Sequence, residues 1–472
     1  MKALTNIEIP VELQQIINAE LAYHFKIIPK SKTSGLIEFY IDENQLIETT
    51  KEELELYLGK EIVLFKVDEK LLNKALYEYY RKEDKRTEGN EKTTFSPDNG
   101  FLENVIFEAK SIGSSDIHFE VYEEEARVRY RIDGLLIEKY IIPKENYLEL
   151  INKIKIDSKL DITEKRLPQD GRINYEDFDI RVSILPTLHG EKVVMRLLGK
   201  DTSHLNLDEV GLEEEQLAIY LEAVKKSNGI VLISGPTGSG KTTTLYATLK
   251  SLNDNKRNIV TVEDPIEYTL KGVNQVQLKE DIGLTFTSAL RSFLRQDPDV
   301  IMLGEIRDAE TAKMAIRASL TGHLVLSTIH TNSAIGTISR LVDMGVPAFY
   351  IAETLNVSVA QRLLRKLCDS CKEQVLFDPK EFPIGYVPPR PIASYYQPKG
   401  CPECYFTGYK GRRAIYEVIP IKNEIVSTIK EHSKNLKEKI NYKYQSLAEK
   451  AFDLFEEGET SLEEIYSLLI NA

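Results

Sequence analysis

The spacing of hydrophobic and polar positions changes along the chain, and each change predicts a different kind of domain. Near the beginning, residues 11–25 have helical spacing, LIEFYID (36–42) is typical of a strand, and residues 69–80 are helical again. These elements predict a small α/β module over residues 1–80. Residues 81–100 carry charge, glycine and proline but almost no apolar side chains. That composition cannot bury a core, so we interpret them as a charged, mobile linker.

Residues 101–205 predict an α+β domain. A helical pattern, FLENVIFEAKSIG (101–113), precedes runs that alternate like a half-exposed antiparallel sheet, such as DIHFEVY (116–122) and ARVRYRID (126–133). Asp133-Gly134 predicts a turn after the second run. Asp170-Gly171 predicts another turn, before the alternating runs RINYEDFDIRVSILP (172–186) and EKVVMRLL (191–198).

A third pattern occupies residues 206–472. An amphipathic helix is predicted over 212–226, with Leu217, Leu221 and Val224 on one face. Four nearly all-apolar runs follow: IVLIS (230–234), NIVTVED (258–264), DVIMLGE (299–305) and HLVLSTIH (323–330). Continuous apolar runs are typical of strands covered on both faces, so they predict a mostly parallel sheet with crossover helices. About the last 50 residues return to helical spacing.

Composition excludes several classes of protein. A chain of 472 residues with 42% hydrophobic and 29% charged residues is globular and too long for one core. The net charge of -13 speaks against broad nucleic-acid binding, which needs dense lysine and arginine. We find neither a signal peptide nor 18 consecutive apolar residues. We therefore expect a cytoplasmic protein that reaches a membrane only through a partner or surface attachment.

One loop carries a phosphate-binding motif. The pattern G-x-x-x-x-G-K-[ST] lies between the apolar run 230–234 and a helical run that begins at residue 242. In that context the backbone N–H groups and the helix N-terminus cradle phosphates, and a chance glycine-rich turn is the weaker alternative. Lys241 is expected to reach the β- and γ-phosphates and Thr242 to ligate Mg²⁺. The predicted nucleotide-binding residues here are Gly235, Pro236, Thr237, Gly238, Ser239, Gly240, Lys241, Thr242 and Thr243.

Two apolar runs end in carboxylates that are candidates for ATP chemistry. The first ends in Glu263 and Asp264, followed by Glu267, and the second ends in Glu305. Ligands bind where the carboxyl ends of parallel strands meet, so we expect these acids to orient water or hold Mg²⁺. Solvated loop charges are the alternative. His330 ends a strand at this edge and is predicted to sense the γ-phosphate, whereas His323 begins that strand and is interpreted as structural.

All four cysteines of the chain fall in two C-x2-C pairs. They are Cys368, Cys371, Cys401 and Cys404, and 29 residues separate the second from the third. In a cytosolic chain, four thiolates at this spacing indicate a closed, tetrahedral Zn²⁺ site with a structural role. Redox dithiols and unpaired buried cysteines are the less favoured alternatives. We therefore predict a zinc-binding insert over residues 366–408.

Several ordered motifs resemble one known family. TVEDPIEY (261–268), LRQDPDVIMLGEIRDAETA (294–312) and TGHLVLSTIHTN (321–332) resemble the Asp, Walker B and His boxes of type II secretion and type IV pilus assembly ATPases. Upstream, SSDIHFE, RIDGLL, LPQDGRI, DIRVSILPT and HGEKVVMRLL are similar to the second N-terminal domain of that family. The resemblance covers residues 100–430.

The resemblance implies an α/β fold with a P-loop, RecA-like ATPase domain after a PAS-like α+β domain. It also implies a homo-hexameric motor that hydrolyses ATP with Mg²⁺ at subunit interfaces. Arg172, Arg181 and Arg196 would complete the neighbour's site by motif match, and structural ion pairs are the alternative for each. By the same resemblance Glu263 lies near the attacking water and Glu305 has the Walker B position. Which acid is the base stays open.

By the same resemblance, the tetracysteine element favours a motor that assembles filaments over one that retracts them. It ends in TGYKGRRAIYEV (407–418) and occurs in secretion and assembly members, whereas retraction motors generally lack it. We expect residues 1–80 to dock on an inner-membrane platform protein, which would hold the chain at the inner face of the membrane. This N-terminal module is short and single and has no repeated Arg/Leu/Gly-rich nucleotide motif, which speaks against cyclic-di-GMP binding. A nucleic-acid translocase and a non-catalytic ATP-gated scaffold are the alternatives, and secretion, pilus extension and DNA uptake are not separated.

Overall fold

A computed structural model of the chain describes residues 7–76 with short gaps, residues 100–199, and residues 206–470 except 384–385, 433–435 and 440–441. The predicted linker over 81–100 lies almost entirely outside these residues. The chain forms two compact units, residues 1–94 and 95–472. The boundary predicted within the second unit, near residue 205, stays a prediction.

The first unit is built on a three-stranded sheet. Its elements are α1 (Ala19–His24), β1 (Ile27–Lys32), β2 (Leu36–Asp42), α2 (Ile47–Leu58) and β3 (Glu61–Val67). Strand β2 is central, antiparallel to β1 and parallel to β3, and α2 makes the crossover that a parallel pair needs. Ile28, Phe39 and Leu54 lie in its core. The strand predicted over 36–42 is confirmed, whereas the pattern did not predict α2 or β3.

The second unit begins with a six-stranded antiparallel sheet in the order β6-β5-β4-β9-β8-β7. Its elements are α3 (Phe101–Ser111), β4 (Asp116–Val121), β5 (Glu125–Ile132), β6 (Leu135–Pro143), α4 (Lys144–Asp157), β7 (Gln169–Asn174), β8 (Phe178–Thr187) and β9 (Gly190–Gly199). Apolar residues of α3 and α4, such as Val105 and Ile154, share one core with Phe119 of β4. The predicted α+β architecture is therefore confirmed.

The two Asp-Gly turn predictions have opposite outcomes. Asp133 and Gly134 have left-handed φ angles of 48° and 89° between β5 and β6, so this turn is confirmed. The prediction for Asp170-Gly171 is wrong, because both residues lie inside β7, where Gly171 pairs with Val182. A Cβ atom at Gly171 would lie 2.7 Å from the carbonyl oxygen of Ser158. Glycine therefore permits a close backbone approach there rather than a turn.

The remainder of the second unit is organised around a seven-stranded sheet in the order β12-β11-β13-β14-β10-β15-β18. The first six of these strands are parallel, and β18 is antiparallel to β15. The strands of this sheet are β10 (Gly229–Ser234), β11 (Ile259–Glu263), β12 (Asn274–Gln277), β13 (Val300–Leu303), β14 (Leu324–Ile329), β15 (Leu355–Leu367) and β18 (Tyr409–Pro420). Two further strands, β16 (Glu373–Leu376) and β17 (Ser394–Gln397), form a separate two-stranded sheet. The helices are α5 (Glu214–Val224), α6 (Lys241–Leu252), α7 (Phe286–Phe293), α8 (Ala309–Leu320), α9 (Ala334–Asp343), α10 (Ala348–Thr354), α11 (Asn423–His432), α12 (Leu436–Lys439), α13 (Leu447–Glu456) and α14 (Leu462–Ile470).

The four predicted apolar runs form β10, β11, β13 and β14, which are interior strands of this sheet. Every residue of these four strands is buried, because hydrophobic cores cover both faces of the sheet. Within the described part of the chain, no helix is long and apolar enough to cross a membrane.

A long two-stranded ribbon of β15 and β18 was not predicted. It extends from the phosphate loop to the cysteines, with Gln361 opposite Tyr416 and Leu367 opposite Tyr409. The segment between the cysteine pairs forms the β16–β17 hairpin. Its ring of Tyr395 packs 5.2 Å from that of Phe455 on α13, so aromatic contacts also hold the insert.

Candidate nucleotide and metal sites

The phosphate loop connects β10 to the N-terminus of α6, as its motif requires. Gly240 precedes α6 with a left-handed φ of 86°, and no described side chain caps the helix. The first N–H groups of α6 are therefore free for an anion. A Cβ atom at Gly240 would lie 2.8 Å from Nε2 of Gln361 on β15, so a larger residue would strain the left-handed backbone and push that amide aside. Thr242 and Thr243 are exposed in the first turn.

Lys241 is held against the loop by the loop's own carbonyl groups. Its Nζ donates to the oxygens of Gly235 and Pro236, both at 2.9 Å. Burial lowers the pKa of Lys241, the charge of Glu305 opposes this shift, and Arg362 adds to it. A partly desolvated cation in this position favours an anionic ligand. Beside it is a shallow cavity of about 190 Å³, lined by Gly235, Pro236, His330, Thr331 and Asn332.

The carboxyl ends of β11, β13 and β14 bring Asp264, Glu305 and His330 together. Oε2 of Glu305 lies 3.3 Å from Nε2 of His330, and Arg307 forms an ion pair with Glu305. Arg307 also lies 3.7 Å from Asp264. His323 lies at the other end of β14, where its Nδ1 is 2.9 Å from the carbonyl oxygen of Ala318. This position agrees with the structural interpretation of His323.

Glu263 lies below this edge, inside the protein. Its side chain accepts hydrogen bonds from Thr261 Oγ1 at 2.6 Å, from Gln275 Nε2 at 3.1 Å and from the hydroxyl of Tyr246. The residue is 3% exposed, whereas the side chain of Glu305 is 15% exposed. The structure thus separates the two candidate acids, with Glu305 at the open edge and Glu263 in a closed hydrogen-bond network.

The three predicted arginines form a row across the sheet of the α+β domain. Arg172 is directly opposite Arg181, and Arg181 is directly opposite Arg196. Like charges opposite each other on one face are destabilising, so the row favours an anionic partner. Burial lowers the pKa of Arg181, Glu267 opposes the shift, and Arg172 and Arg196 add to it.

The row already has carboxylate partners within the chain. Arg181 donates to Glu267 at 3.1 Å and to the carbonyl oxygen of Ile266, and Arg196 donates to Asp116 at 2.9 Å. The family resemblance implied that these arginines serve a neighbouring subunit. In the structure, Arg181 contacts the Asp-box segment (261–268) of its own chain.

Arg362 is a residue near the loop that the pattern analysis missed. Its guanidinium donates to the carbonyl oxygens of Gln361 at 2.9 Å and Asn332 at 3.1 Å, beside Gly235. It forms no ion pair with a carboxylate among the described residues. Burial lowers the pKa of Arg362. The signal available was a Gln-Arg pair directly after the mostly apolar stretch 355–360 of β15.

The four cysteines meet at one end of the β15–β18 ribbon. All four sulfurs lie within 4.8 Å of one another, with Cys368–Cys401 and Cys371–Cys404 at 3.8 Å. A tetrahedral site with Zn–S bonds of about 2.3 Å has S···S edges of about 3.8 Å, so the spacing fits zinc. The distances are too long for disulfides. The N–H groups of Cys401 and Gly408 point at Cys404 Sγ from 3.2 and 3.3 Å, as they would toward a thiolate.

The loop between β10 and α6, its lysine and the acid just beyond the end of β13 define a P-loop fold of the kind found in NTPases. Residues 91–467 match the family described as "Type II/IV secretion system protein". The chain belongs to this family.

The curated relatives are named either for type IV pilus assembly or for type II secretion. The chain is 47% identical over 378 residues to the type IV pilus assembly ATPase PilB of Myxococcus xanthus, covering 76% of this chain and 66% of that protein. It is 49% identical over 333 residues to the type II secretion system protein E of Pseudomonas aeruginosa, covering 70% and 66%. The chain therefore spans just under two thirds of the length of these relatives.

Solved structures agree on the fold. The pilus retraction motor PilT with bound ADP gives a TM-score of 0.53 at 27% identity, covering 77% of this chain and 95% of that one. The ATPase DotB of Legionella pneumophila gives a TM-score of 0.60 at 22% identity, covering 81% and 98%, and at that identity supports the fold alone.

Proposed function

We propose that the chain binds and hydrolyses ATP. The observation that carries this proposal is that the phosphate loop and His330 line one cavity and that Glu305 lies 3.3 Å from His330. The free N–H groups of α6, Lys241 and Arg362 would hold the phosphates, and Thr242 would hold Mg²⁺. Bound Mg²⁺ would supply positive charge for the phosphate oxygens.

We assign the proton-accepting role to Glu305 and γ-phosphate sensing to His330. Glu305 is at the open edge and within reach of His330, so a phosphate-bound water has access to it. Asp264 and Arg307 complete the charged set around that carboxylate. Arg172, Arg181 and Arg196 would take the charge that develops on the transferred phosphoryl group, since guanidinium groups match phosphate oxygens.

The hydrolysis is proposed to drive the assembly of pilin-like filaments, in type II secretion or pilus extension. The names of the relatives at 47% and 49% identity support this, and the four cysteines, which fit structural Zn²⁺, agree with an assembly motor. We further propose a homo-hexamer on the cytoplasmic face of the inner membrane, recruited to a platform protein by residues 1–80. The family assignment does not favour the alternative of a nucleic-acid translocase.

Phosphate release by the purified full chain tests the enzymatic part. Glu305→Gln is expected to lower kcat by about 100- to 10,000-fold while ATP still binds. Lys241→Ala should abolish binding of a fluorescent ATP analogue. Glu310→Gln is the matched control, because its exposed carboxylate lies nearby in sequence but pairs only with Arg291 among the described residues. Wild-type activity in the Glu305→Gln chain would refute the assignment.

A cell-based experiment tests the assembly part. Cells that carry Lys241→Ala as their only copy should extend no filaments, and deletion of residues 1–80 should move the chain from the membrane fraction to the soluble fraction. Normal filament extension with Lys241→Ala would contradict the motor proposal. Strong stimulation of hydrolysis by single-stranded DNA would instead support the translocase.

A further inference from the structure

Tyr246 lies on the phosphate-loop helix α6 and connects three separate parts of the second unit. Its side chain is 0% exposed, and its hydroxyl donates to the carboxylate of Glu263 at the end of β11. The same hydroxyl accepts hydrogen bonds from the backbone N–H groups of Glu267 at 3.2 Å and Tyr268 at 3.4 Å. The phenol is therefore satisfied both as donor and as acceptor.

Glu263 is enclosed by the donors of this network. Thr261, Gln275 and Tyr246 all donate to its carboxylate, and each comes from a different side. Burial and the adjacent Glu263 raise the pKa of Tyr246, so the hydroxyl keeps its proton and remains the donor. A general base has to come within about 2.6–3.2 Å of the water it deprotonates. Glu263, at 3% exposure, is better placed to orient Tyr246 than to meet water.

The segment anchored by Tyr246 is the one that receives the arginine row. Arg181 donates to the side chain of Glu267 and to the carbonyl oxygen of Ile266. The N–H group of Glu267 is in turn fixed by Tyr246. A continuous set of hydrogen bonds thus leads from Glu263 through Tyr246 and residues 266–268 to Arg181.

We propose that Glu263 and Tyr246 are a buried positioning pair, which fixes residues 266–268 and thereby fixes the position of Arg181. The effect of the pair on catalysis rests on the proposed ATPase function. The hydrogen bonds through which the pair fixes residues 266–268 do not depend on that function. Among the described hydrogen bonds, the side chains of the pair reach neither the phosphate loop nor Glu305, and we assign their effect to Arg181.

Amide hydrogen exchange tests the structural part in the full chain without any turnover. Tyr246→Phe removes one oxygen atom, and the amides of Glu267 and Tyr268 should then exchange about fivefold faster, because each loses its acceptor. Tyr268→Phe is the matched control, since that ring contacts Tyr246 edge-on at 5.6 Å but donates nothing to Glu263 among the described contacts. Unchanged exchange in Tyr246→Phe would overturn the proposal, whether or not the chain hydrolyses ATP.

A double-mutant cycle tests the effect on catalysis. Tyr246→Phe and Glu263→Gln should each lower kcat about tenfold with KM for ATP within about twofold, since a positioning loss acts in the transition state. In an Arg181→Ala background, the same changes should cost less than about twofold, because the residue they position is absent. Glu305→Gln should still reduce kcat strongly in that background.

Two results would overturn the catalytic part. If Glu263→Gln abolished turnover equally with and without Arg181, Glu263 would act on the reacting atoms. If the effects of Tyr246→Phe and Arg181→Ala simply multiplied, the pair would have a merely structural role. Absence of ATP hydrolysis by the wild-type chain would refute the proposed function instead, and the exchange experiment would still decide on the pair.

Discussion

The ion pairs of Glu120 on β4 predict how much folding stability the protein loses when this side chain is replaced. Its side chain is 5% exposed and forms ion pairs with Arg127 at 3.0 Å, Arg129 at 2.8 Å and Lys192 at 3.0 Å. Burial opposes ionisation of this carboxyl, but the hydrogen bonds from the three cations outweigh burial and lower the pKa of Glu120 from 4.5 to about 2. The folded state therefore binds the ionised form more strongly than the unfolded chain does.

The perturbation is Glu120→Gln, which keeps the shape and removes the charge. The interval between the two pKa values corresponds to about 3 kcal/mol at about 1.36 kcal/mol per pKa unit. Because the cations are partly solvated, screening reduces the expected destabilisation to about 2 kcal/mol. A lowered pKa stabilises fully above the unfolded value of 4.5 and loses its effect as pH falls toward about 2. The loss should thus be equal at pH 7 and 5.5 and smaller at pH 3.5.

Scanning calorimetry of the full chain measures this effect. We expect the transition of the second unit, residues 95–472, to fall by about 3 °C at pH 7 in Glu120→Gln, the shift that about 2 kcal/mol causes in a unit of this size. Glu125→Gln, at the exposed start of β5, is the control and should change stability by less than about 0.5 kcal/mol. The reasoning fails if the loss at pH 7 is below that of the control, or if it is as large at pH 3.5 as at pH 7.

Three further predictions concern the sites. Asp116→Asn should lower kcat about tenfold, because Asp116 holds Arg196 at 2.9 Å and Arg131 at 3.4 Å through charge-assisted contacts. The rate of phosphate release measures this loss. Arg362→Ala should weaken binding of a fluorescent ATP analogue about tenfold, with partial recovery in Arg362→Lys, because only the arginine is planar. Removal of metal with a strong chelator should release about one Zn²⁺ per chain and make the four thiols reactive toward a thiol reagent, since four thiolates close one tetrahedral site.

Each of these predictions has a control or a contrary result. Ser115→Ala removes a hydrogen bond to Asp116 without changing charge, so a loss as large as that of Asp116→Asn would point to local packing. Equal binding in the wild type and Arg362→Ala would exclude Arg362 from the phosphate site. Four thiols that react fully before the chelator is added would argue against a bound metal.

The interior strands of the large sheet were predictable because they are buried on both faces. Strands such as β10 and β14 consist mainly of apolar residues and are buried at every position, so a local pattern is sufficient to find them. Strand β15 was not predictable in the same way. Its second half leaves the buried sheet and carries Gln361 and Arg362 beside the phosphate loop, so its hydrophobic pattern is interrupted where it contributes to the site.

The same distinction applies to the candidate site. The phosphate loop is a local motif, and the contact between Glu305 and His330 follows from the rule that parallel strands end at one edge. The burial of Glu263 could not be predicted, because its partners Tyr246 and Gln275 come from α6 and β12 and meet it only through tertiary packing. The family resemblance supplied the arginines, but only strand register shows that they form one row.

The β15–β18 ribbon limits how the length of this chain can vary among homologues. Gln361 is seven residues before Cys368, about 23 Å along an extended strand. Pairing is regular from Gln361 to Arg365 and shifts register between Arg365 and Leu367, so one inserted residue in the regular part would turn the side chains up to that shift to the opposite face and change the register at the cysteine pairs. Natural insertions and deletions should therefore be tolerated between Cys371 and Cys401 but be rare, or occur in matched pairs, within the ribbon itself.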